Sequence, residues 1–202
     1  MNESKKIISI DAMGGDLAPT AVFGGMNQFL YQYGEDSAFF RVFGPEKRLR
    51  SLLKKFPRVA RNCEIINADE VISGTDKIRD VIRHAQGTSM YMAIKDVREG
   101  NSAAVVSAGN TGVLMALSKL ALKTVDGISR PAITTMLPSG DGDTRVVGLD
   151  LGANVQCDEE ILFDFSIMGS VYADIIGGMT RPRVGILNIG EEETKGSETL
   201  QR

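Results

Sequence analysis

The stretch VVSAGNTGVLMAL, residues 105–117, sets the problem. An apolar run breaks into six small residues, Ser107-Ala108-Gly109-Asn110-Thr111-Gly112, and an apolar run then resumes. A plain strand-to-helix connection needs about two to six residues and one or two turn formers. This one carries two glycines, an asparagine and two hydroxyls. A loop so poor in side chains leaves backbone N–H groups uncovered at a helix start, where anions bind.

Working outward, the same theme recurs. KKIISI runs into DAMGGDLAP, AFFRVF into GPEKRLRSLL, CEIINA into DEVISGTD, DTRVVGLD into LGANVQCDEE, and RPRVGILN into IGEEETKGSE. The apolar runs are nearly continuous in Ile and Val, which predicts parallel strands buried on both faces. Helices are expected between them. The spacing of Leu49, Leu52, Leu53 and Phe56 predicts one, and Met90–Val97 and Val113–Leu122 two more. The alternation predicts an α/β fold, a three-layer α/β/α sandwich with a mostly parallel sheet. PSGDGDTR (138–145) reads differently, as a hairpin turn between ITTML and RVVGLD; Asp141 and Asp143 lack calcium-loop spacing.

Ligands in such sheets bind at the carboxyl ends of the strands. DAMGGD, SAGNTG, LDLGAN and NIGEEE all follow a candidate strand, so all four are expected on one rim. Bulk properties narrow the function. The chain has 202 residues, 43 % of them hydrophobic, and a net charge of −3, against a general nucleic-acid binder. No run approaches the ~18 apolar residues of a spanning helix, and no secretory h-region follows the N-terminus, so a cytoplasmic location is expected. Cys63 and Cys157 read as buried reduced side chains. One histidine and no CxxC or HExxH leave no expected metal site.

No loop is a Walker A, none is GxGxxG with an acidic residue ~20 positions on, and Ser107 is not in GxSxG. His84 reads as a solvated helix residue rather than a base. Chemistry here therefore works without a protein nucleophile. Inorganic phosphate, largely dianionic near neutral pH, needs no base; the protein supplies positioning and oxyanion stabilisation. Each candidate keeps a plainer reading beside the functional one. Asp11 and Asp16 flank Gly14 and Gly15 as turn and cap residues or as site residues. Asp150 and Asn154 are caps, or substrate contacts if they line the rim. In NIGEEETKG, Glu191 is a helix-start acid or the partner that orients Lys195, a point charge for phosphate. The basic stretch KRLRSLLKKFPRVAR (47–61) is a solvated helix face or a dock for an acidic partner or anionic membrane.

Seven elements, IDAMGGDLAP, TSM (88–90), SAGNTGVLMA, RPAI, LDLGANV, IMGSVYA and PRVGILNIGEEETKG, resemble the PlsX family of acyl-acyl carrier protein:phosphate acyltransferases, over nearly the entire chain. The resemblance implies an isocitrate dehydrogenase- or phosphotransacetylase-like fold and transfer of an acyl group from acyl carrier protein to inorganic phosphate, giving acyl phosphate for phospholipid synthesis. It implies a homodimer, peripheral membrane association and no cofactor. On this reading Asn110, Lys195 and Asp11 are catalytic. Gly14, Gly15, Asp16, Ser107, Gly109, Thr111, Asp150, Asn154 and Glu191 hold phosphate or the thioester. Arg79 and Arg83, in KIRDVIRHAQG, meet the carrier. The family's later DGFTGN element has no match, so residues 1–202 are expected to be a single α/β domain, the N-terminal part of a longer enzyme. The alternatives are a phosphotransacetylase-like enzyme using acyl-coenzyme A, and a non-catalytic fragment that binds phosphate or acyl carrier protein. A dehydrogenase is least supported, because the nicotinamide fingerprint is missing.

Overall fold

Strand β1 (Lys6–Asp11) explains the sheet, because its two faces have different chemistry. In the computed structural model, which describes residues 5–73, 76, 78–140, 145–154 and 156–187, β1 lies between β2 (Ala38–Gly44) and β4 (Ala104–Val106). β3 (Cys63–Asn67) pairs on the far side of β2, giving the order β3-β2-β1-β4 with every pairing parallel. The register sets Ile8 beside Phe40 and Ile10 beside Val42, with Ile65 next along. These residues pack against helices α1 (Thr20–Tyr33), α2 (Glu46–Leu53) and α3 (Pro57–Ala60), around the buried Phe23, Leu30, Leu49 and Val59.

The opposite face carries Ser9, Arg41 and Glu64 in one row across three strands. Helices α4 (Ile78–His84), α5 (Ser89–Arg98) and α6 (Thr111–Leu122) cover this side. They meet through Val81, Met90, Ile94, Val113 and Leu117, with Val105 of β4 against them. A sheet buried on both faces was expected, but not a polar row beneath a helix. The row is tolerated because it is fully hydrogen-bonded. Asp96 of α5 accepts from Ser9 Oγ at 2.6 Å, from Ser102 Oγ at 2.5 Å and from Arg41 Nε at 2.9 Å. Arg41 also pairs with Glu64. Burial alone would push the Asp96 carboxyl up; the Ser102 and Ser9 hydroxyls and the Arg41 charge outweigh it and hold it below the usual range.

Two expectations about helices and strands need correction. The basic stretch is not one helix through Phe56. α2 ends at Leu53, and Pro57 opens the separate α3, because proline bars helical backbone at the residue before it. Several of its charges are already paired: Arg50 with Glu46 at 2.6 Å, Arg61 with Glu35 at 2.7 Å, and Arg58 with Glu35 at 3.6 Å. RPRVGILN is not a strand over its described residues. Among the described residues no strand pairs with 182–187, and Leu187 is 97 % exposed.

The chain divides into two compact units, Met1–Lys123 and Thr124–Arg202. The second holds β5 (Thr134–Pro138) and β6 (Arg145–Leu149), paired antiparallel, and α7 (Glu159–Gly177). The hairpin reading of 138–145 stands, although residues 141–144 lie outside the described residues. DTRVVGLD is therefore not a parallel strand, since so short a connection permits only antiparallel pairing. α7 is capped by Asp158, whose Oδ1 accepts from Ile161 N at 2.9 Å, and it stops at Gly178 in the left-handed region, φ 65°. Cys63 and Cys157 are unpaired and partly buried; burial pushes the Cys63 thiol up to about 11.

Asp96→Ala removes the acceptor of the polar row and leaves Arg41 short of a partner. It is expected to cost about 3 kcal/mol of unfolding free energy in urea titrations. The Asp96 carboxyl is lowered in the folded state, so its contribution is full above the unfolded value near ~4 and is lost as pH falls through the folded value. The gap between parent and variant should therefore close on acidification below about pH 4.

Candidate functional site

The DAMGGD and SAGNTG loops, nearly a hundred residues apart in sequence, interlock. Asp11 ends β1 and is 2 % exposed. Its Oδ1 accepts from Ser89 Oγ at 2.6 Å and from Met13 N at 3.2 Å; its Oδ2 accepts from Ser107 Oγ at 2.7 Å. Ser107 Oγ in turn accepts from Gly109 N at 3.1 Å. One buried carboxylate thus ties together the end of β1, the start of α5 and the loop before α6.

The glycines are required by this closeness. A Cβ on Gly14 would stand 2.7 Å from each of Asp11 Oδ2, Ser107 Oγ and Gly109 N. A Cβ on Gly109 would stand 2.5 Å from Met90 Cε. Gly15, at φ 101°, rests on Ala108. Two bare backbone segments therefore pack face to face, and no side chain fits between them.

Asn110 caps α6, its Oδ1 accepting from Val113 N at 3.0 Å, and Leu114 N reaches Asn110 O at 2.9 Å. Helix geometry gives the first two N–H groups, on Thr111 and Gly112, no carbonyl of their own helix to bond. They sit at the positive end of the helix dipole, beside exposed Thr111 and Asn110. Such an end suits a small anion. Ile78 of α4 closes one side, its Cδ1 lying 3.2 Å from where a Gly112 Cβ would be.

The structure thus unites Asp11, Gly14, Gly15, Ser107, Gly109, Asn110 and Thr111. Asp16 is exposed on the same loop. Arg79 and Arg83 are exposed on α4, the helix that brings Ile78 to Gly112. Asp150 and Asn154 belong to the second unit and hold each other. Asp150 Oδ2 accepts from Asn154 N at 2.7 Å and from Asn154 Nδ2 at 3.0 Å, and Oδ1 from Ile133 N at 3.0 Å. Burial would raise the Asp150 carboxyl, but these donors outweigh it and hold it low. Both residues line a cavity of about 850 Å³ with Arg145, Arg183 and Phe165, all in that unit. Glu191 and Lys195 lie outside the described residues. Ser89 was not among the candidates. Only its place in TSM, a small polar residue just inside a helix start after the N-cap Thr88, could have marked it. Among the described residues no three His, Cys, Asp or Glu cluster to hold a metal, and no helix is long and apolar enough to cross a membrane.

In a parallel α/β sheet, a glycine-lined helix start at the carboxyl edge is a place where anions bind. The chain belongs to the fatty acid synthesis protein family, whose pattern matches residues 6–202. It is 43 % identical over 194 residues to the phosphate acyltransferase of Maricaulis maris, covering 96 % of this chain and 55 % of that protein. It is 43 % identical over 199 residues to the phosphate acyltransferase of Neorickettsia sennetsu, covering 98 % and 57 %. The chain therefore spans about half the length of the curated relatives it matches. Among solved structures, a phosphotransacetylase from Streptococcus pyogenes superposes with a TM-score of 0.64 at 17 % identity, covering 86 % of this chain and 55 % of that one. EutD phosphotransacetylase from Staphylococcus aureus gives 0.60 at 19 %, covering 87 % and 54 %. These two likenesses establish the fold.

Gly14→Ala should push the two loops apart and cost about 2 kcal/mol, a fall in thermal midpoint of roughly 4–8 °C. Gly25→Ala, on the exposed side of α1 with nothing within 4 Å, should instead stabilise by about 0.5–1 kcal/mol. Thermal melts of the two variants against the parent check both signs.

Proposed function

We propose that this chain carries the phosphate site of an acyl-acyl carrier protein:phosphate acyltransferase. The start of α6 binds inorganic phosphate and the developing oxyanion. A phosphate oxygen attacks the thioester carbonyl carbon; the tetrahedral oxyanion collapses, the C–S bond breaks, and the carrier leaves as a thiolate that takes up a proton. Acyl phosphate is the product, a substrate for later acylation in lipid synthesis. The observation that carries the reading is the glycine-only contact between the DAMGGD and SAGNTG loops at that helix start, in a chain more than 40 % identical to phosphate acyltransferases.

Within this reading Thr111 and Gly112 N–H groups meet the phosphate, and Asn110 shapes the turn that presents them. Lys195 and Glu191 lie outside the described residues and stay candidates through the NIGEEETKG motif alone, as a charge for phosphate and its acidic partner. Asp16, on the exposed loop after β1, is a candidate contact for the thioester in its own unit, and Asp150 and Asn154 are candidate substrate contacts in the cavity of theirs. Arg79 and Arg83, exposed beside the site, suit an acidic carrier. The assembly is a homodimer associated peripherally with the membrane.

A hydroxylamine trap tests the reaction. Long-chain acyl-acyl carrier protein, phosphate and the chain should give phosphate-dependent acyl hydroxamate; acyl-coenzyme A in place of the carrier distinguishes the donor. No hydroxamate from folded protein overturns activity of this chain, and carrier retained without turnover marks a binding fragment instead. Asn110→Asp separates capping from anion binding. Aspartate caps as well as asparagine, so the fold should persist, yet its charge faces the anion. The apparent KM for phosphate should rise at least about tenfold, with the thermal midpoint unchanged.

A further inference from the structure

We propose that Ser89, with Asp11, is a positioning residue that holds the α6 N–H groups ready for an anion, and that neither touches substrate. The proposal rests on the reading of the α6 start as a phosphate site.

The argument is one of hydrogen-bond direction. A carboxylate only accepts. Ser107 lies 2.7 Å from Asp11 Oδ2, so its single proton is committed to Asp11. Its lone pairs are then turned toward Gly109 N, which donates at 3.1 Å. The chain Gly109 N–H to Ser107 Oγ–H to Asp11 therefore has one sense only, and it fixes the peptide that leads into Asn110 and Thr111. Asp11 itself must not rotate. Ser89 holds it by donating to Oδ1 at 2.6 Å, a short charge-assisted bond. Ser89 is 2 % exposed, and its own N–H donates to Glu70 O at 3.1 Å, so its position is fixed from a fourth segment. The next residue, Met90, packs its methyl on Gly109. TSM thus touches the anion loop twice, once through the carboxylate and once directly. Burial of Asp11, with both oxygens engaged, leaves it no path to a substrate.

Two variants keep the shape and change the direction or the hold. Asp11→Asn is isosteric but keeps a single acceptor oxygen, so it cannot accept from Ser107 on one side and from Ser89 and Met13 N on the other. Ser89→Ala removes the hold alone. Amide exchange and inorganic phosphate titration are followed by NMR on the full 202-residue chain. In the parent, phosphate should shift the Thr111 and Gly112 amides. In each variant, Gly109 exchange should speed and phosphate affinity should fall at least about tenfold, with Ile8 and Val42 exchange unchanged. The double variant should be little worse than Asp11→Asn, since Ser89 acts through Asp11. Equal phosphate binding by parent and variants overturns the positioning role. Additive losses, or faster exchange throughout β1 and β2, also overturn it and leave a merely structural bond. Phosphate that leaves the parent's amides unmoved overturns the anion site and this proposal together. Phosphate binding by the parent, weakened as expected in the variants, without acyl transfer overturns only the proposed reaction.

Discussion

A buried carboxylate needs donors, and Asp11 finds them in three different segments. The loop after β1, the start of α5 and the loop before α6 each donate to it. Had any one been absent, a charge would sit in the interior with too few partners, at a cost of several kcal/mol. The requirement works as a constraint on assembly: the segments come together because Asp11 cannot be buried otherwise. The glycines follow from the same closeness, since three atoms of this network occupy the space of a Gly14 side chain.

The second polar anchor lies two residues earlier on the same strand face. Ser9 bonds Asp96 near the other end of α5, while Asp11 bonds Ser89 at its start. Helix α5 is thereby pinned to β1 at both ends, with Ala93 and Ile94 buried between the pins. An apolar interface fixes a helix loosely along its axis, because methyl groups tolerate sliding. Two directional, charge-assisted contacts do not. This places the Ser89 hydroxyl within hydrogen-bond reach of Asp11, and the register of α5 becomes part of the geometry of the loop it supports.

Much of this was legible. The runs around Ile7–Ile10, Phe39–Phe43, Ile65–Ile66 and Val105–Val106 give four parallel strands, and the small-residue breaks after them give loops. Asp11, Ser107 and Gly109 stand out because acidic and bare residues at strand ends have few other uses. Ser9, Arg41 and Ser89 do not stand out. A serine within a strand, or just inside a helix start, has the same local signature whether it faces solvent or a buried carboxylate. The break between α2 and α3 comes from Pro57, which outweighs an apolar spacing that runs past it. RVGIL has strand composition but forms no strand. β-branched composition makes a strand only where an edge receives it, and residues 182–187 pair with none of the described strands.

The sequence by itself determined the strand–loop–helix alternation, the parallel sheet and the glycine-lined loops, because hydrophobic runs, turn residues and helix caps act over a few positions. It also carries the family, through motifs spread along the whole chain. Only the tertiary structure decided which loops meet and what holds them. Asp11, Ser89 and Ser107 are 78 and 96 residues apart along the chain, and no local rule links them. Burial of one charge among three segments is a property of the assembled fold, satisfied at once or not at all.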